Sequence, residues 1–249
     1  MRPLRNPPLP LRFKTLMPTL YLIPTLLVDD TAERVLPSQI RDVIEKTDTY
    51  FVENVRSARR FVSVLKTTRV IDETTFFDLD KDTPPADTRR QIQELTERKR
   101  NAGVLSEAGC PGVADPGAVV VGMAHALGWR VEPLVGPSSI LLALMASGLN
   151  GQSFVFHGYL PIEKAERARA VRFLEKEAQQ RLQTQIFMET PYRNDALFAD
   201  ILANCEPQTR LCVACNLTAP DAFVRTMTIR EWKSQTPDLR KKPTVFLLL

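Results

Sequence analysis

The sequence predicts an α/β chain built of two α/β domains, the first around a mostly parallel sheet and the second around a mixed one. Three observations carry this. Short apolar runs alternate with helix-period segments from Thr19 to about Gly148, the order that gives a parallel sheet covered by helices. Beyond Gly148, strand-like runs follow one another directly at RLCVACNLT and AFVRTMTI, which calls for antiparallel or mixed pairing. The 249 residues, 44% hydrophobic and 25% charged, suffice for one large or two small domains and are too apolar for global disorder.

The elements follow in order. TLYLI is a buried-strand pattern that ends at Pro24. TAERVLPSQIRDVIEKTD is a helical region that Pro37 splits, because proline is poorly tolerated inside a helix. TYFVE is a strand, NVRSARRFVSVLKT a helix and VIDETTFFDL a strand. DLDKDTPPADT is a polar loop, with Thr88 and Gln91 placed to form a capping box for the helix after it. NAGVLSE is a strand, AGCPGVADPG a loop, AVVVGMAHALG a helix closed by Gly128, and WRVEPLV a strand. GPSSILLALMASG is a helix with Pro137 near its first turn and Gly148 just past its end. QSFVFHGYL is a strand, and the charge-rich stretch 163–182 is an exposed helix. TQIFMET is a strand, RNDALFADILANC a helix, and RLCVACNLT, AFVRTMTI and PTVFLLL are strands. This gives a flexible extension over 1–16, a first domain over 17–135 and a second over 136–249.

The net charge of +4 is weak, and four of the positive residues (Arg2, Arg5, Arg12, Lys14) lie in the first 16, which hold no acid. A nucleic-acid partner is permitted by this balance but not indicated by it. No uncharged apolar run approaches the roughly 18 residues of a membrane span. Four cysteines are too few for a disulfide framework, and their placement reads as reduced and internal, which fits a cytoplasmic protein. Cys212 and Cys215 form a C-x-x-C on a strand, where residues three apart face opposite sides, so packing is the expected role. His125 and His157 lack ligand spacing, and no metal site is expected.

Three segments stand out chemically. LSEAGCPGVADPG, residues 105–117, carries three of the ten glycines between a strand and a helix. Loops at the carboxyl ends of parallel strands are where open α/β sheets bind ligands, although a tight turn with an Asp115 helix cap explains the composition equally well. VGPSSILLALMASG, residues 135–148, offers backbone donors at a helix start, or simply an N-capped core helix. FMETPYRND, residues 187–195, ends an apolar strand on Glu189, which can meet a ligand, pair with Arg193 or cap the next helix. No G-x-G-x-x-G or Walker loop occurs.

In this order the three segments resemble the tetrapyrrole methylase superfamily, the class III S-adenosylmethionine methyltransferases. They look most like its branch that methylates a ribose 2′-hydroxyl of small-subunit ribosomal RNA. That branch typically reads SDAGTPGISDPG, GPSALLAALSASGL and FYESPHR, where this chain has SEAGCPGVADPG, GPSSILLALMASGL and FMETPYR. FHGYLP, residues 156–161, is similar to the branch's FEGFLP. The resemblance runs from Met17 onward. It implies two α/β domains joined near Gly136, S-adenosylmethionine in the cleft between them, and a homodimer. Matched positions place the donor against Pro24, Glu107, Ala108, Gly109, Ala114, Asp115, Pro137, Ser138, Ser139, Met188, Glu189 and Thr190. The chain departs from the pattern at PTLLVDD, residues 24–30, where the branch reads PIGNLED. It departs again at VENVRSARRFV, residues 52–62, and at FFDLDKDTPPADTRR, where a histidine-rich acceptor stretch is the rule.

A sulfonium methyl is already activated, so in-line transfer mainly needs orientation. A ribose hydroxyl is a poor nucleophile and gains from a base or a nearby cation. Glu53 and Glu189 are the candidate bases, and Arg56 and Arg193 the candidate cations, with plain salt bridges as the alternative for each. Ribosomal RNA or the small subunit is the first expected acceptor. A tetrapyrrole or other small molecule is the second, and a non-catalytic binding protein on the same fold is the third reading.

Overall fold

The computed structural model describes residues 17–249, so the extension over 1–16 lies outside the described residues. The first sheet holds β1 (Thr19–Ile23), β2 (Thr49–Val52), β3 (Thr75–Asp78), β4 (Ala102–Leu105) and β5 (Arg130–Pro133), in the order β3-β2-β4-β1-β5. Every pairing in it is parallel. Period-two alternation along the strands supplies two buried faces. Tyr50 and Val52 of β2 pack with α2 (Ser38–Lys46) and α3 (Val55–Val64), which follow α1 (Ala32–Val35). Phe51, between them in sequence, points the other way, towards α4 (Pro85–Glu97) and α5 (Gly117–Ala126). The connections leaving β1 and β4 therefore lie on opposite faces, although these strands are neighbours. Such a reversal opens a crevice outside the carboxyl ends of the strands.

The second sheet holds β6 (Phe154–Tyr159), β7 (Thr184–Glu189), β8 (Arg210–Cys215), β9 (Phe223–Thr228) and β10 (Thr244–Leu248), in the order β6-β7-β10-β8-β9. Only β6 and β7 pair in parallel; the rest is antiparallel. One face is covered by α7 (Lys164–Arg181), α8 (Asn194–Asn204) and α9 (Ile229–Trp232), with Phe187, Val213 and Phe246 at the centre. The other face is covered by α6 (Ser139–Ser147) through Ala143 and Leu144. Cys212 lies on the α6 face and Cys215 on the opposite one, as the C-x-x-C spacing on a strand requires. Burial pushes the Cys212 thiol up to about 11, which suits a packing residue and not a nucleophile.

Four sequence expectations are corrected. VIDETTFFDL is not one strand: residues Ile71–Glu73 form a 3-10 turn, and only Thr75–Asp78 extend. The loop before α4 is shorter than expected, because Pro85 starts the helix with Pro84 as N-cap. Proline is pre-organised for that position, and Thr88 consequently sits buried inside the helix instead of capping it. Pro137 precedes α6, whose N-cap is Ser138. The charge-rich helix α7 is not exposed all round: Val171, Leu174 and Ala178 pack on the sheet, while Arg167 and Glu175 are buried with partners. The short helix α9, held by a Thr228–Glu231 capping box, had no expectation attached.

Candidate functional site

The crevice becomes a cavity because the second sheet closes over it. The cavity measures about 340 Å3, at the small end of the roughly 300–1,000 Å3 of small-molecule sites. Its floor comes from the loops after β1, β2 and β4, and its roof from the start of α6, the ends of β6 and β7, and the start of β10.

The loops after β1 and β4 are stitched together at its base. Thr25 donates its N–H to Gly109 O at 2.9 Å and its hydroxyl to Ser106 O at 3.1 Å. The departure from the branch pattern at Thr25 thus places a buried, fully hydrogen-bonded threonine, and the residues after it, Leu27 and Val28, reach the cavity wall. Gly109 and Gly112 have φ of +78° and +80°, the left-handed region that favours glycine, so the loop can turn back under the cavity. Asp115 takes N–H bonds from Gly112 at 2.5 Å and Gly117 at 2.8 Å. It acts as the clamp of this loop; Pro116, not Asp115, is the N-cap of α5. Cys110 Sγ reaches Pro137 O at 3.5 Å, tying the loop to the segment that enters α6.

Gly136 is fixed by packing. A methyl group on it would lie 2.7 Å from Pro24 Cγ and closer still to Cβ. Gly136→Ala is therefore expected to cost about 1–3 kcal/mol through overpacking, or a melting temperature lower by roughly 2–12 °C. Gly122→Ala, inside α5 with nothing within 4 Å, should instead hold or raise it. Calorimetry of both variants checks the pair, and equal melting temperatures would refute the packing argument.

Of the expected donor contacts, Glu107, Ala108, Ala114, Asp115, Ser139, Met188 and Glu189 line the cavity. Pro24, Gly109, Pro137, Ser138 and Thr190 do not; they shape the loops behind the wall. Glu53, at the end of β2, lines it too, whereas Arg56 sits exposed on α3 away from it. Arg193 is outside the lining but pairs with Glu189 at 2.6 Å. Sequence reasoning missed Tyr159, Pro191 and the Pro243–Val245 edge of β10. Tyr159 stood in the FHGYLP segment, so a signal existed; for β10 none did, since only the register that sets Thr244 opposite Glu189 brings it there.

The carboxylates differ in chemistry. Burial pushes the Glu53 carboxyl above the usual carboxylate range, and the neighbouring Glu107, Asp115 and Asp80 add to the rise. Burial raises Asp115 as well, against the pull of its two backbone donors. For Glu189, burial also pushes upward, but Arg193 and the Thr190 N–H outweigh it and hold the carboxyl below its ordinary value. Its other oxygen, Oε2, is buried without a partner.

A family model described as Tetrapyrrole (Corrin/Porphyrin) Methylases matches residues 28–233. The chain belongs to this family. It is an S-adenosylmethionine-dependent methyltransferase. Among relatives of this tetrapyrrole methylase, ribosomal RNA small subunit methyltransferase I of Vibrio cholerae is 30% identical over 240 residues, covering 93% of this chain and 77% of the relative. The protein of the same name from Bacillus subtilis is 30% identical over 182 residues, 72% of this chain and 57% of the relative. Among solved structures, the methyltransferase CobJ shares the fold with a TM-score of 0.58 at 17% identity, over 93% of this chain and 92% of that one. Uroporphyrin-III C-methyltransferase from Thermus thermophilus, complexed with S-adenosylhomocysteine, does so at 0.53 and 15%, over 92% and 96%.

The cavity fits such a donor. Its volume and the carboxylates of Glu53, Glu107 and Asp115 suit a compact ligand with amino and hydroxyl donors and a positive charge.

Proposed function

We propose that this methylase transfers a methyl group to a ribose 2′-hydroxyl of small-subunit ribosomal RNA. The observation that carries the reading is the 30% identity, over 93% of the chain, to a relative named as a small-subunit ribosomal RNA methyltransferase. The donor supplies an activated methyl group when bound. Glu107, Ala108, Ala114, Ser139 and Met188 are the residues we assign to holding it, with Asp115 clamping the loop beneath. Glu53 is the general base, because its raised pKa brings it towards the operating pH. Glu189, ionised and tied to Arg193, is the weaker base and the better hydrogen-bond acceptor. Arg56, exposed on α3 away from the cavity, is left without a part in the transfer step.

The active species in this reading is a homodimer. The helices α5 and α6 are apolar all round, and α6 leaves Leu141 and Met145 exposed, Met145 at 80%. A second copy accounts for that surface. Acting on ribosomal subunits would put the protein in the cytoplasm. Among the described residues no helix is long and apolar enough to cross a membrane.

The test is methylation of undermethylated small ribosomal subunits by the purified protein with labelled donor, with the product mapped by nuclease digestion and mass spectrometry. One ribose-methylated nucleotide in the subunit RNA is the expected product. Transfer to a tetrapyrrole but never to RNA would overturn the acceptor assignment.

A further inference from the structure

The roof of the cavity opens on one side. Across the second sheet, Thr244 of β10 lies opposite Glu189 of β7, and the neighbouring Met188 lies opposite Tyr159 of β6. Thr244 and Glu189 are each 4% exposed, whereas Tyr159, on the edge strand, is 57% exposed although it lines the cavity. The cavity therefore opens beside Tyr159. Val113, in the loop after β4, is its counterpart on the floor: it too lines the cavity and is half-exposed.

A break in the strand puts the ring there. Phe156 pairs with Ile186 and Tyr159 with Met188, so β6 advances three residues where β7 advances two. Gly158, at φ +68°, lies within this bulge. Phe156 packs on the face that α6 covers, and Ala214 and Val245 of that same face line the cavity. Strict alternation from Phe156 would turn Tyr159 to the opposite face, towards α7. The bulge re-aims it at the cavity. Burial does not explain this placement, since more than half of the ring's residue stays in solvent.

We propose that Tyr159 is the platform on which the base of the acceptor nucleotide stacks while its ribose reaches the donor. The inference rests on the ribosomal RNA reading above. A 2′-hydroxyl can approach a donor held between two sheets only if its nucleotide leaves the RNA helix, and its base then loses its stacking neighbours. An exposed aromatic ring at the entrance replaces one of them. Among the described residues the cavity lining holds no Lys, Arg or His, so it offers a phosphate no cation and favours an uncharged base and sugar.

The experiment is steady-state methylation of undermethylated small ribosomal subunits by the full chain and by its Tyr159→Ala, Tyr159→Leu and Tyr159→Phe variants. Each protein is also titrated calorimetrically with S-adenosylhomocysteine. Tyr159 is largely exposed, so the variants should fold, and thioether binding reports that they have. Alanine and leucine should lower kcat/KM for the subunit about 5- to 150-fold, the range of one lost base stack. Phenylalanine keeps the ring and should stay within about twofold of the unaltered protein, as should the affinity of all three variants for S-adenosylhomocysteine. A Tyr159→Leu variant within about twofold of the unaltered kcat/KM overturns the stacking and leaves the RNA acceptor standing. A matching loss of S-adenosylhomocysteine affinity in Tyr159→Ala also overturns it, by placing the ring against the donor. No transfer to RNA by the unaltered protein overturns the acceptor reading and the platform together.

Discussion

Asp200→Ala is expected to lower the melting temperature by about 6–20 °C, the largest stability loss of any substitution considered for this chain. Arg167, on α7, donates Nε to Asp200 Oδ2 at 2.7 Å and a second guanidinium nitrogen to the same oxygen at 2.5 Å. A third bond runs to Ile162 O at 2.7 Å. The two side chains are 8% and 10% exposed, so solvent screens the pair little. Removing the carboxylate strands a guanidinium between α7 and α8, which costs about 3–5 kcal/mol because the charge has no other partner there. The pair itself is not strongly stabilising relative to an apolar contact of the same size. The double variant Arg167→Met/Asp200→Leu should therefore recover most of the loss. Scanning calorimetry at neutral pH distinguishes the cases. A fall of less than about 3 °C for Asp200→Ala would mean that the site admits water.

That pair also shows where sequence reading stops. Half of the residues in 163–182 are charged, and an exposed helix is the direct inference. What is hidden from the sequence is that Arg167 and Glu175 find acceptors and donors 33 and 31 residues away, Asp200 and Glu206. Long-range partners reverse the burial rule for charged residues, and no local pattern announces them. By contrast, the strands TLYLI, TYFV and AGVL were legible because parallel strands buried on both faces carry continuous apolar runs. Their order was not: β4 sits between β2 and β1 although it comes later in the chain, and this insertion creates the crevice. The glycine-rich loop was legible as a tight turn after β4, which Gly109 and Gly112 make with positive φ and Asp115 clamps. The roof from β10 was not, since its place beside β7 depends on antiparallel register alone.

Glu53→Gln is expected to reduce kcat by about 10²–10⁴-fold, the largest effect on activity. The residue ends β2 at the cavity wall, and the substitution keeps its shape while removing its ability to take a proton. Burial first, and then Glu107, Asp115 and Asp80, raise its carboxyl above the reference 4.5. Below that raised value Glu53 is protonated and cannot accept the hydroxyl proton, so the rate should climb as pH rises through it. In the variant this acidic limb should vanish, leaving a low and flatter profile. Glu189→Gln separates a base from a structural acid. Its carboxyl is held below the ordinary value, so it stays ionised throughout that range and its loss should leave the limb in place. Instead it strips Arg193 of the partner at 2.6 Å, and the damage should appear as weaker donor binding. Single-turnover rates at saturating donor, measured against pH, remove any loss of donor affinity from the comparison. A Glu53→Gln enzyme that keeps more than about a tenth of the rate with its acidic limb intact would show that the hydroxyl proton leaves to water and that Glu53 only contributes charge.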